Sequence, residues 1–311
     1  MGYIFKGVIY YLLFPGFATA AVLGLLSCWF DRKLTARFQW RVGPPWYQPF
    51  LDIIKLFGKE TIIPSGANTS MFIAAPYIGL VSVIIVSMLL SIVNLSGQGF
   101  LGDIIVVVYL LTLLPVSAMM GGFSSRNPLA SIGASREMKL VLAYELPFIL
   151  AIASVIIKTQ GAIDLDRIID FQSENCYFIW TASGFIAFIV SLLCVQAKLG
   201  FTPFDMADAE QEIMAGAQIE YSGVLLAVIK LSRAILLFTL NIFLITLFMG
   251  GIDLYGVHIV WSILKYLSIL FLMVVIKNTN PRVRIDHAVR FFWGPVTLLA
   301  VLSVILALIG K

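Results

Sequence analysis

FTPFDMADAEQEIMAGAQIEYSG, residues 201–223, sets five carboxylates (Asp205, Asp208, Glu210, Glu212, Glu220) between two strongly apolar segments. A carboxylate beside hydrocarbon loses hydration that a partner or water must replace. A cluster of them in this setting therefore points to a hydrated, proton-exchanging cavity rather than to an ordinary membrane loop. Like charges this close also disfavour one another's ionised forms.

The flanks decide the class. With 60% hydrophobic residues, 12% charged residues and a mean hydropathy of +0.98, the chain lies outside the range of a soluble domain. Long apolar runs without polar alternation predict transmembrane helices, not a barrel. Eight runs are expected, at about 7–30, 72–94, 103–123, 136–158, 178–199, 221–249, 257–276 and 291–309. Lys and Arg crowd the connections after the first (Arg32, Lys33, Arg37, Arg41, Lys55, Lys59), third (Arg126, Arg136, Lys139) and seventh (Lys277, Arg282, Arg284, Arg290). The opposite side has only Lys6, Lys158, Arg167 and Lys311, so the odd connections are expected in the cytoplasm and both termini outside. The expected fold is all-α: one integral membrane domain over 1–311, with cytoplasmic connections at about 31–71, 124–139, 200–220 and 277–290. The net charge of +4 follows this topology and calls for no nucleic-acid partner. Lys6 and Ala18-Thr19-Ala20 resemble signal-peptide features, but the apolar stretch continues to Phe30, which favours a retained helix.

Cys28, Cys176 and Cys194 are isolated, and the histidines are His258 and His287, so no ligand set for an iron–sulfur cluster, nickel or zinc arises within the chain. Gly-rich nucleotide loops and nucleophile elbows are absent from the sequence as well. If the chain serves a redox enzyme, electrons pass through other subunits.

Between the first two spans, Phe50, Ile53, Ile54 and Phe57 form a stripe with Asp52, Lys55 and Lys59 off it, predicting a short amphipathic helix. Such a helix either lies in the interface as an anchor or roofs a cavity and binds a partner subunit. Within the spans, Glu145 is expected about nine residues, near 14 Å, into the fourth. Lys230 and Arg233 share a face of the sixth, and Lys265 is deep in the seventh. Charges at such depth mark functional sites, unless Glu145 simply pairs with Lys230 or Arg233 to fix helix packing.

Motifs in every predicted cytoplasmic connection carry a resemblance. They are Arg37 with Arg41-Val42-Gly43-Pro44, Gln48-Pro49 with Asp52 and Lys55, Arg136, Tyr144-Glu145-Leu146-Pro147, Thr202-Pro203-Phe204-Asp205, Ala209-Glu210-Gln211-Glu212, Ala215-Gly216, Glu220-Tyr221-Ser222-Gly223, and Pro281-Arg282-Val283-Arg284-Ile285-Asp286. In this order they resemble, over nearly the whole chain, the family of the H subunit of respiratory complex I (mitochondrial subunit 1) and its relatives in energy-converting membrane-bound hydrogenases. The resemblance implies an eight-helix subunit joining a cytoplasmic electron-transfer arm to antiporter-like membrane subunits. Glu145, Asp205, Asp208, Glu210, Glu212 and Glu220 would line a funnel from the redox site to a central hydrophilic axis. Arg37, Arg41, Arg136, Arg282, Arg284 and Arg290, with Gln48, Asp52, Lys55 and Asp286, would flank the junction. Lys230, Arg233 and Lys265 would link toward the axis.

Quinone-reducing members of that family have a longer glycine-rich insert where this chain has only Pro45-Trp46-Tyr47. The short form resembles the hydrogenase branch and its ferredoxin-dependent sulfur-reducing relatives. It implies reduced ferredoxin as donor, partner subunits carrying Fe–S clusters and a NiFe centre (a small subunit and a hydrogenase-like large subunit), and outward pumping of protons or sodium ions across the cell membrane. The chain would hold no cofactor and would not be catalytic alone. The rival readings are the same role in a quinone or sulfur-reducing complex, a stand-alone cation or proton exchanger built on inverted repeats, and a purely structural anchor. No internal repeat is visible in the sequence.

Overall fold

Hydrocarbon offers no partner to a backbone amide, so long apolar runs must satisfy their hydrogen bonds within helices. The computed structural model describes residues 16–253 and 256–310, apart from the side chains of Glu210 and Gln211, and no strand occurs among the described residues. The helices are α1 (Phe17–Phe38), α2 (Gln48–Phe57), α3 (Thr69–Ser96), α4 (Asp103–Ser124), α5 (Pro128–Lys158), α6 (Leu165–Glu174), α7 (Ala182–Lys198), α8 (Gly223–Phe248), α9 (His258–Thr279) and α10 (Ile285–Leu308).

Six of these, α3, α4, α5, α8, α9 and α10, are long and apolar enough to cross a bilayer. The eight expected spans are not all of that kind. In the fifth, residues Phe178–Trp180 form a 3-10 turn, and the Thr181 hydroxyl accepts a hydrogen bond from Gly184 N (3.2 Å) to start α7. The 17 residues of α7 rise about 26 Å, short of the roughly 30 Å of a hydrocarbon core. The first part of the expected span 7–30 lies outside the described residues, and the end of α1 carries Asp31, Arg32, Lys33 and Arg37. Near its start α10 passes through a π-helical turn, Phe292–Val296. Pro295 brings no N–H to this turn, and the Thr297 hydroxyl donates to Phe292 O (2.6 Å).

Helix α8 is the axis of the bundle. It is buried without interruption from Ala234 to Phe248 and packs against α1, α3, α7 and α9. Helix α5 forms a second centre, against α4, α7 and α10. Apolar residues all round a helix are the mark of one enclosed by protein rather than facing lipid on one side. Gly24 lets α1 approach α8 closely, because a Cβ there would stand 2.6 Å from the Ala234 carbonyl oxygen. Overpacking of this kind costs roughly 1–3 kcal/mol. Gly24→Leu is therefore expected to lower the heat-denaturation midpoint of the detergent-solubilised protein by a few degrees, and an unchanged midpoint would refute the close contact.

The connections sort to two ends. At one end, Asn68 N donates to Ser124 O (3.0 Å), Ile62 N to Ser222 Oγ (2.9 Å), and Lys277 pairs with Asp31 (2.7 Å). The three predicted basic connections and the acidic segment 201–222 meet there. At the other end, the Asp103 carboxylate accepts from Leu165 N (2.8 Å) and anchors α6, a helix without a counterpart among the expected elements.

Candidate functional site

Segment 201–222 is a chain of short turns, because Gly200 and Gly216 adopt positive φ and Pro203 removes a donor. Its apolar residues hold it down. Phe204 lies 4.8 Å from the Phe292 ring, Tyr221 stacks on Phe72 at 4.2 Å, and the Tyr221 hydroxyl donates to Phe72 O (3.0 Å). With that face buried, the four described carboxylates, Asp205, Asp208, Glu212 and Glu220, are each turned toward a cation or amide on a neighbouring element. Arg282 grips Asp205 through two nitrogens (2.7 and 2.5 Å). Arg233 of α8 meets Asp208 (2.5 Å), Arg136 of α5 meets Glu212 (2.5 Å), and Asn127 donates to Glu220 (2.5 Å). The Glu210 side chain lies outside the described residues. Mutual repulsion, expected from spacing alone, is thus answered group by group with charge-assisted bonds.

Behind the segment lies a narrow cavity of about 50 Å³, lined by Asp205, Asp208, Gln218, Glu137, Lys198 and Arg233 among others. One buried water needs about 10–15 Å³, so the cavity has room for a few. Lys198, near the end of α7, reaches from the cavity wall to Glu145 of α5 (2.8 Å), and its side chain is 1% exposed. Its ammonium lies 4.9 Å from the Tyr144 ring centre and 4.8 Å from that of Phe148. Sequence reasoning set Glu145 against Lys230 or Arg233; its partner is Lys198, 53 residues along the chain. Lys198 and Glu137 were absent from the residues singled out in the sequence.

The other singled-out residues divide between two places. At the end of the bundle that holds the acidic segment, Asp52 accepts from Arg32 (2.8 Å) and Gln48 (3.0 Å). Partial burial pushes the Asp52 carboxyl up, but those two hydrogen bonds outweigh it and hold it below the usual range. Arg37, Arg41, Lys55, Lys230, Arg284, Asp286 and Arg290 are exposed at that end. So is an apolar surface: Trp40 is 98% exposed and Val42 78%, with Trp46 and Ile54 beside them. Of the predicted amphipathic stripe only Ile53 is buried, so α2 turns Ile54 and Phe57 away from its own chain. Lys265 stands at the opposite end. It donates to Met249 O (2.6 Å) and lies over the Tyr177 ring, capping the C-terminus of α8 far from the carboxylates.

The sequence matches the NADH dehydrogenase family over residues 10–308. This chain belongs to that family. The H subunit of the NADH-quinone oxidoreductase of Dehalococcoides mccartyi (strain CBDB1) is 32% identical over 296 residues, 92% of this chain and 81% of that protein. The corresponding H subunit of Bacillus cytotoxicus is 30% identical over 328 aligned positions, 99% of this chain and 94% of that protein. That alignment is longer than the 311 residues of this chain, so the Bacillus protein carries residues this chain lacks. Among solved structures, a chain of the membrane-bound sulfane sulfur reductase, an archaeal respiratory membrane complex, superposes with a TM-score of 0.87 at 27% identity, covering 99% of this chain and 100% of that one. The chain is a multi-pass membrane subunit of the complex I-like type.

Proposed function

We propose that the chain is the noncatalytic anchor and ion-coupling subunit of a ferredoxin-driven membrane-bound [NiFe] hydrogenase in the cell membrane, with eight spans and both termini outside. Its basic end faces the cytoplasm under the positive-inside rule and seats the electron-transfer arm on Arg37, Arg41, Arg284, Arg290 and the exposed aromatics of 40–47. Redox turnover in that arm alters the charge balance of Asp205, Asp208, Glu210, Glu212 and Glu220, and the change passes through the cavity to Glu145 and on to antiporter-like partners. The observation that carries this reading is the set of ion pairs joining one acidic segment to α5, α8 and the loop before α10. A change at Asp205, Asp208 or Glu212 is thereby felt by a different element. Lys265, capping the far end of α8, has no part in it.

The short Pro45-Trp46-Tyr47 connection supports the hydrogenase branch over quinone reduction. The full-length likeness to a chain of the sulfane sulfur reductase favours a second reading, the same role with a sulfur compound as acceptor. Isolating the native complex through a tag on this chain and supplying reduced ferredoxin tests both. Hydrogen evolution with a co-purifying nickel–iron subunit is the expected result. Sulfane reduction without hydrogen moves the assignment to the second reading, and quinone reduction overturns both.

A further inference from the structure

We infer that the groove between α1, α3, α8 and α9 seats an aminophospholipid, its hydrocarbon chain in the groove and its headgroup in an acidic vestibule at the groove's end. The groove encloses about 510 Å³ between side chains such as Leu23, Phe238 and Leu267. It opens sideways between α1 and α9, where Leu23, Ile263 and Leu267 are exposed. In a multi-pass membrane subunit that opening faces hydrocarbon. Along α1 the wall runs from Thr19 to Phe30, eleven helical steps or about 16 Å, close to the roughly 15 Å of hydrocarbon in one leaflet. Polar groups in this wall are engaged by the protein itself. The Ser27 and Tyr266 hydroxyls bond each other (2.5 Å), Asn94 donates to Leu90 O (2.7 Å) and accepts from Ile252 N (2.7 Å), and Ser262 donates to Asp253 O (2.9 Å). Hydrocarbon is the chemistry this wall matches, and a ring carbonyl or hydroxyl placed there would compete with bonds already made.

The groove leads into a second cavity of about 610 Å³ at the end of the bundle opposite segment 201–222, and the two share Asn94, Ile252 and Ser262. The lining changes there. Three carboxylates, Asp166, Asp170 and Asp253, stand with His258 and the ammonium of Lys265. Arg167 of α6 adds little to the balance, because it pairs with Asp164 (3.2 Å). This surplus of negative charge suits a cationic group. Asp170 and Asp253 are exposed, so an ammonium reaches them without any rearrangement of the fold. Lys265 donates to Met249 O (2.6 Å) and Gly251 O (3.5 Å), which leaves one N–H of its three for a phosphate. Tyr177 and Trp261, both in the vestibule wall and exposed, are the side chains that sit at a membrane–water boundary. An apolar trough of one leaflet's depth that ends in a charged vestibule at headgroup level follows the polarity of a phospholipid along its length. The charges then choose the headgroup: phosphate beside Lys265, ammonium toward Asp170 and Asp253.

A photoreactive benzophenone side chain placed at Leu267, irradiated in native membranes, reports what occupies the groove. The expected product is this chain carrying the added mass of an aminophospholipid. An adduct with residues 1–15 of the same chain or with another subunit, and none with lipid, overturns the inference. The headgroup is tested on the tagged complex, stripped of lipid in detergent and titrated with dioleoyl-phosphatidylethanolamine or dioleoyl-phosphatidylglycerol while the heat-denaturation midpoint is followed. The ethanolamine lipid is expected to raise the midpoint at concentrations about tenfold lower than the glycerol lipid, and Asp170→Asn combined with Asp253→Asn to abolish that difference. Both aspartates are exposed, so the double variant should fold and assemble. Equal potency of the two lipids on the unsubstituted complex, or a preference that survives in the double variant, overturns the inference as well. Neither readout involves electron transfer, so the outcome is independent of the acceptor that the complex reduces.

Discussion

Gly216→Val is expected to abolish ion translocation and to strip partner subunits from the complex isolated through this chain. Gly216 has φ +54°, and a Cβ on it would fall 1.9 Å from the Ala207 carbonyl oxygen and 2.9 Å from the carbonyl carbon. A side chain in the left-handed region costs about 1–2 kcal/mol, more for a β-branched one, and the collision with backbone leaves no soft atom to yield. The turns Met206–Asp208 and Gly216–Gln218 must therefore separate, and with them go the pairs that Asp208 makes with Arg233 and Glu212 makes with Arg136. Gly97→Ala is the control. Gly97 also has positive φ (+60°) but open space around the added Cβ, so it bears the conformational cost alone and should purify with its partners. Subunit recovery in the Gly216→Val complex equal to that in Gly97→Ala would show that the packing of these turns is dispensable.

How far the sequence could be read varies with the range of the interaction involved. Apolar runs are local, so α3, α4, α5, α8, α9 and α10 were readable directly, and so was α2 from its stripe of Phe50, Ile53, Ile54 and Phe57. The boundaries were less so. Helix α5 begins at Pro128, eight residues before the expected span, because Asn127 accepts a hydrogen bond from Leu129 N (2.9 Å) and Pro128 suits the first helical position. Polar α6 was missed since what fixes it is Asp103, 62 residues away. The site divides in the same way. The acidic segment announces itself by composition, whereas the identity of each partner depends on how α5, α7 and α8 are rotated against one another. Lys198, at the end of the expected span 178–199, drew no notice in sequence, whereas Lys265 reads as a buried functional charge. Packing turns Lys198 inward to Glu145 and sets Lys265 against backbone carbonyls at the other end of the bundle.

Glu145→Gln is expected to lower the ions moved per electron at least tenfold while the complex still assembles. Removing one member of a buried ion pair usually costs roughly 3–5 kcal/mol, because the remaining charge is stranded. Glutamine softens that loss here, since its carbonyl can still accept from Lys198 and the two rings remain beneath the ammonium. Assembly should survive, but a residue that cannot gain or lose a proton ends any relay through this point. Glu212→Gln provides the contrast. Glu212 is 51% exposed in its side chain and its pair with Arg136 lies at the bundle's edge, where solvent replaces much of what the substitution removes. Its ratio should fall less than that of Glu145→Gln, and the difference between them measures how much of the coupling depends on depth rather than on charge alone. Equal effects from the two substitutions would place the controlling step in the acidic segment itself. A wild-type ratio in Glu145→Gln would reduce the Glu145–Lys198 pair to a brace between α5 and α7.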